Sequence, residues 1–120
     1  MNLGQLAARC QSVFGRVPRV WGDTDKRLST IVTCTGSCGD LPDICLERGY
    51  DCLICGEVRY HAALNARLGG LSIIELGHDV SELPLCAVLA AAAGQAGVAE
   101  DAICIIDQSG NWTTPEALRR

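Results

Sequence analysis

No cluster of Lys or Arg occurs anywhere in this 120-residue chain, and the formal net charge is −4. A nucleic-acid surface needs a basic patch or stripe, so no nucleic-acid partner is expected. No basic segment followed by an apolar core opens the chain, so no secretory signal is expected either. The longest low-polarity run, residues 83–98, is interrupted by Pro84, Gly94, Gln95 and Gly97. It falls short of a membrane-spanning length and reads as a buried helix, with no membrane partner. There is no glycine-rich loop ending in Lys-Ser or Lys-Thr, and no spaced-glycine dinucleotide fingerprint. Histidine is confined to His61 and His78.

What is present is an apolar fraction of 48% beside 20% charged residues, the balance of a soluble globular chain. The length suits one core and a single domain over residues 1–120. Eight cysteines need a reason. In a secreted chain they would suggest a disulfide framework. Here Cys34, Cys52 and Cys104 fall in apolar strand-like runs, and Cys10, Cys45 and Cys86 on helical faces. At such positions cysteine behaves as a small hydrophobe, so free thiols and a cytoplasmic location are expected. The single C-x-x-C, Cys52 and Cys55, runs along a strand. Positions three apart on a strand face opposite sides, which argues against a zinc thiolate site.

The elements alternate. Residues 2–14 read as a helix with Leu3, Leu6, Ala7, Cys10 and Phe14 on one face. A strand over 17–21 ends at Gly22-Asp23, and a second over 28–34 follows after about six residues. That gap is too short for a parallel crossover, so these two strands pair antiparallel or lie apart. Next come a helix over 41–48, a strand over 50–55, a helix over 57–68, a strand over 71–76, a helix over 81–96 and a strand over 102–107. The tail from Gln108 has turn chemistry. The expected fold is α/β, a mainly parallel mixed sheet of about five strands with helices on both faces.

In such a sheet the loops leaving the C-terminal strand ends share one rim, where ligands bind. Two segments at that rim carry chemistry. Gly56-Glu57 precedes Tyr60-His61, and Gly77-His78 precedes Ser81-Glu82. Each sets Glu and His four apart, a spacing that one helical turn brings to the same side. Imidazole and carboxylate are both metal ligands. Plainer readings stand beside these: Asp79 and Glu82 could form a capping box, Glu57 could complement a helix N-terminus, and His61 could be a half-buried helix residue. A third segment, Thr35, Gly36, Ser37, Cys38 and Gly39, is a small-residue turn between strand and helix. It could aim N–H groups at a phosphate or carboxylate, or be a tight connection that needs glycine. Cys38 beside that helix start could have a lowered pKa. Glu57, His61, His78 and Glu82 are expected to line one cavity next to this turn.

Trp21-Gly22-Asp23, the turn at 35–39, the run from Asp51 to His61, and Glu75-Leu76-Gly77-His78-Asp79-Val80-Ser81-Glu82 occur in an order and spacing that resembles the C-terminal half of the NIF-three-like (Ngg-interacting-factor) proteins. Many members of that family are labelled GTP cyclohydrolase I type 2 homologues. The resemblance covers about residues 16–108. It implies an α/β fold, ring-shaped homo-oligomers and a two-metal site, with His78 and Glu82 as divalent-metal ligands. It also implies that Glu57 and His61 lie at the same cavity, as candidate catalytic proton carriers. The family's further ligands, a His-His pair and an Asp, belong to an N-terminal half with no counterpart here. Two functions follow as expectations. One is a weakly metal-binding domain, hydrolase-like (GTP cyclohydrolase-like) when complete, with a small or phosphate-bearing ligand. The other is a non-catalytic ligand-binding or protein-interaction module lacking a full metal site.

Overall fold

Asn2 opens the first helix with a reciprocal cap: its side-chain oxygen accepts from the Gln5 N–H at 2.9 Å, while Gln5 Oε1 accepts from the Asn2 N–H at 3.0 Å. The computed structural model describes residues 1–115, in which this helix is α1 (Leu3–Phe14). After it come β1 (Arg19–Trp21), β2 (Ile31–Thr33), α2 (Leu41–Glu47), β3 (Cys52–Cys55), α3 (Tyr60–Leu68), β4 (Ser72–Glu75), α4 (His78–Gln95) and a 3-10 turn at Glu100–Ala102. They form two compact units, Met1–Ser81 and the chain from Glu82 onward, with α4 beginning in the first and continuing into the second.

The first unit holds the sheet, in the order β1-β4-β3-β2. β2 and β4 both run parallel to β3, with Leu53 opposite Val32 and Ile73, whereas β1 pairs antiparallel with β4, with Val20 opposite Ile74. Helices cover both faces. On one, Cys45, Ala63 and Ala66 pack with Leu53, Cys55 and Ile73. On the other, Leu3, Ala7, Cys10 and Val80 pack with Cys52, Ile74 and Leu76. Leu53, Ile73 and Ile74 are fully buried, worth roughly 1.5–3 kcal/mol each. Cys52 and Cys55 belong to opposite faces, as their spacing on a strand requires. Asp51 fastens the start of β2 to that of β3. Its Oδ2 accepts from the N–H groups of Ser29 at 2.7 Å and Thr30 at 2.9 Å. These two backbone donors hold its carboxyl below the ordinary range.

Several expectations are corrected. The sheet has four strands and is mixed, rather than having about five mainly parallel ones. Among the described residues no strand forms after β4, so residues 102–107 are not a fifth strand. A right-handed crossover after α4 would extend the sheet beside β4, and β1 already fills that edge. Of the two arrangements expected for the early strands the structure shows the second: they lie apart, at opposite edges. α3 begins at Tyr60 instead of Glu57, and α4 begins at His78 instead of Ser81. Residues 83–95 are helical as expected, yet none of residues 82–115 is buried. The turn-rich tail is described as far as Pro115, and its last five residues, 116–120, lie outside the described part. No helix among the described residues is long and apolar enough to cross a membrane. All eight cysteines are free.

Candidate functional site

The parallel strands β2, β3 and β4 end side by side, and three loops leave this rim together. Glu57 joins two of them. Its N–H donates to Gly36 O at 2.9 Å, and its C=O accepts from the Cys38 N–H at 3.2 Å. The pair prolongs the β2–β3 ladder by a parallel bridge between Ser37 and Glu57. The third loop is tied on by Gly77, whose N–H donates to Gly56 O at 2.8 Å. Gly56 is glycine because the backbones meet there: a Cβ would lie 2.5 Å from Gly36 O.

Ser81, 4% exposed, locks the assembly. Its hydroxyl accepts from the Gly36 N–H at 2.9 Å and donates to the His78 carbonyl at 2.8 Å. The small-residue turn is thereby fixed to the helix start that carries His78. A second tie comes from the opposite side. The Arg16 guanidinium grips both carboxylate oxygens of Asp79, with Nη2 to Oδ2 at 2.9 Å. Gly77 is at φ +109°, a backbone conformation that strains any other residue, and an added Cβ would sit 2.7 Å from Arg16 Nη1, so the guanidinium would have to shift.

These ties set His78 Nδ1 at 3.4 Å from Glu57 Oε1, with both side chains about half exposed. The structure thus brings together Glu57 and His78. The helical pairing of Glu57 with His61 is not what joins them, because Glu57 precedes α3 in extended backbone. His61, second residue of α3, is exposed and lies edge-on to Tyr60, which in turn lies edge-on to Trp21. Glu82 follows His78 by one turn along α4 and is the first residue of the second unit. Among the described residues no three His, Cys, Asp or Glu side chains form a group able to hold a metal ion.

Within the turn, the N–H groups of Gly36 and Cys38 are spent on Ser81 and Glu57. Thr35, Ser37 and Gly39 remain exposed. Burial pushes the Cys38 thiol up, partly offset by a hydrogen bond donated by Cys55, which removes the ground for reading Cys38 as an activated nucleophile. Beneath the rim, Glu75 at the end of β4 accepts from the Val58 N–H at 3.4 Å and faces the Arg19 guanidinium at 3.3 Å. The local sequence gave no sign of the Arg16–Asp79 and Arg19–Glu75 pairs, whose partners are far apart in the chain. Ser81 was legible as part of a motif, but its role as a tie was not.

Comparison with known proteins gives this rim a context. A Clostridium acetobutylicum protein named GTP cyclohydrolase 1 type 2 homolog is 30% identical over 90 residues, which cover 74% of this chain and 34% of that protein. The crystal structure of a Bacillus cereus protein related to NIF3 matches with a TM-score of 0.67 at 24% identity, over 82% of this chain and 28% of that one. A Staphylococcus aureus hypothetical protein matches with a TM-score of 0.72 at 20% identity, over 95% of this chain and 40% of that one. The chain spans about a third of the length of the Clostridium relative. Residues 1–110 match the family Duf34/NIF3 (NGG1p interacting factor 3), and with the α/β fold and the Gly77-His78 helix start in view, the chain belongs to that family.

Proposed function

We propose that this chain is a metal-binding part of a Duf34/NIF3 protein, in which His78 and Glu82 ligate a divalent ion and Glu57 holds the imidazole for it. The observation that carries this reading is the approach of His78 Nδ1 to Glu57 Oε1 at 3.4 Å. A carboxylate on one ring nitrogen fixes the tautomer and leaves Nε2 for an ion, the usual arrangement of metal-bound histidine. Glu82, four residues further along the same helix, is the second ligand that the family resemblance implies. Two protein ligands leave most positions open, so binding by the chain alone is weak, in the micromolar range or above.

The name of the Clostridium relative, a cyclohydrolase homolog, favours hydrolysis as the reaction class in a complete assembly. Bound metal would supply an activated water. The chain's own residues would orient the ligand and move protons, Glu57 at the rim and His61 from α3. Thr35, Ser37 and Gly39 are the exposed groups of the turn left to meet a phosphate-bearing ligand. Eight free thiols suit a reducing, cytoplasmic setting.

Titration with Mn(II), followed by water proton relaxation, tests the assignment. Weak binding that is lost in both His78→Ala and Glu82→Ala and reduced in Glu57→Gln is the expected result. Binding unaffected by either alanine substitution would reject it. No detectable binding at millimolar Mn(II) would favour a ligand-binding or interaction module without a metal centre, the second reading. That reading draws on the lack of a three-donor group among the described residues.

A further inference from the structure

Four of the eight cysteines meet on one face of the sheet. Two of them stand at neighbouring strand positions. Thr33 pairs with Ile54, and the Cys34 N–H donates to Ile54 O at 2.9 Å, which sets Cys34 beside Cys55. Val32 and Cys34, like Leu53 and Cys55, alternate onto the face that α2 and α3 cover. Cys45 reaches the same cluster from α2, and Cys38 from the small-residue turn. Cys38, Cys45 and Cys55 are 5%, 0% and 0% exposed. Buried cysteine ordinarily serves as a small hydrophobe, and Cys45 fits that role. Cys38 and Cys55 differ, because their side chains meet: the Cys55 thiol donates a hydrogen bond to the Cys38 sulfur.

The backbone holds this pair in place. The Cys38 N–H donates to Glu57 O at 3.2 Å, and Glu57 follows Cys55 by two positions. The Ser37–Glu57 bridge prolongs the same ladder. Two sulfurs in hydrogen-bond contact on anchored backbones need only a small inward turn to reach the ~2.05 Å of a disulfide. The direction of the hydrogen bond assigns the roles. Cys55 keeps its proton. Cys38, the acceptor, is the sulfur eased toward thiolate, and its neighbours Ser37 and Gly39 are exposed. Burial still pushes both thiols up, so closure is slow. A thiol of raised pKa is also a poor leaving group, so the closed disulfide is slow to reopen. Among the described residues no three donors converge on a metal position, and the chemistry open to this cluster is pairwise.

We propose that Cys38 and Cys55 form an oxidation site, a dithiol that a hydroperoxide converts to a disulfide bracing the turn against β3. With hydrogen peroxide, the Cys38 sulfur attacks one oxygen: an S–O bond forms, the O–O bond breaks, and the other oxygen leaves as water with the thiol proton. The Cys55 sulfur then displaces the hydroxyl, forming the S–S bond, and its proton leaves with the second water. Two electrons pass from the sulfurs to the peroxide. The proposal is independent of the metal reading. The reduced full chain, treated with hydrogen peroxide and alkylated in denaturant, is mapped by mass spectrometry. The expected product is a link between the tryptic peptides 28–48 and 49–59, placed at Cys38 and Cys55 by fragmentation and reversed by dithiothreitol. The bond closes the loop from 38 to 55 in the unfolded chain, so the urea midpoint of the linked form should rise by about 1–2 M. Cys38→Ser and Cys55→Ala should each abolish the link and the rise, and the wild-type map stands whether or not these variants fold. Links confined to other pairs, Cys34 with Cys55 included, overturn the proposal. So does recovery of both Cys38 and Cys55 as free thiols after prolonged peroxide, or a linked form with an unchanged urea midpoint.

Discussion

Replacing Ser81 with alanine removes one oxygen and two hydrogen bonds from the point where three loops join. The Gly36 N–H, buried, loses its acceptor at 2.9 Å, and the His78 carbonyl loses its donor at 2.8 Å. A buried donor left unsatisfied costs about 1–3 kcal/mol. His78 opens α4, whose carbonyls accept from the N–H groups one turn on, so the loss of this additional donor adds little. The expected destabilisation is about 2 kcal/mol. With a urea dependence of roughly 1–1.5 kcal/mol per molar for a domain of this size, the unfolding midpoint should fall by about 1.5 M at unchanged slope. Ser12→Ala, at an exposed position of α1, is the control and should stay within about 0.5 kcal/mol of wild type. If Ser81→Ala proved as stable as that control, the hydroxyl would not be tying the turn to α4. The positioning of His78 argued from it would then fail as well.

Other perturbations read other parts of the rim. Gly56→Ala places a Cβ 2.5 Å from Gly36 O and 2.8 Å from Gly36 Cα, so backbones must separate; a loss of about 2–3 kcal/mol in urea unfolding is expected. Gly94→Ala, with nothing within 4 Å of the added carbon, should instead stabilise α4 by about 0.5–1 kcal/mol. Asp51 has a folded-state pKa below its ordinary 3.8, chiefly through the Ser29 and Thr30 N–H groups. Its stabilisation is therefore full above that ordinary value and lost as pH falls through the lower folded one. Asp51→Asn should be less stable than wild type at pH 7, and urea midpoints should converge as pH drops below 3.8; a constant gap would contradict the linkage. Burial pushes Cys52 up to about 12 and Cys55 upward as well, whereas Cys104 is exposed. Thiol labelling at neutral pH should reach Cys104 first and the β3 pair only on unfolding. Equal labelling rates in the folded protein would contradict the burial of β3.

The parts of the fold legible in the sequence were those set by local pattern. The apolar runs around Val32, Leu53 and Ile73 are strands, and the helices between them force the parallel order that assembles the rim. Pairing across long separations was not legible. Nothing local to Arg19 or Glu75 shows that β1 lies against β4, and this pairing determines that the sheet stops at four strands. Helix starts failed for a related reason. Periodicity alone would begin α3 at Glu57, but the backbone of Glu57 is already held by Gly36 and Cys38, so the helix can form only after it.

The helix α4 poses a different kind of mismatch. Its sequence from Leu83 to Gln95 is apolar on every side, and such a helix is ordinarily buried. In the chain itself its large side chains lie open. Hydropathy reports the environment for which side chains were selected, and that environment includes whatever covers them. The expectation of a buried helix over residues 83–98 is thus half right: residues 83–95 are helical, but apolar composition alone does not bury them within the described chain.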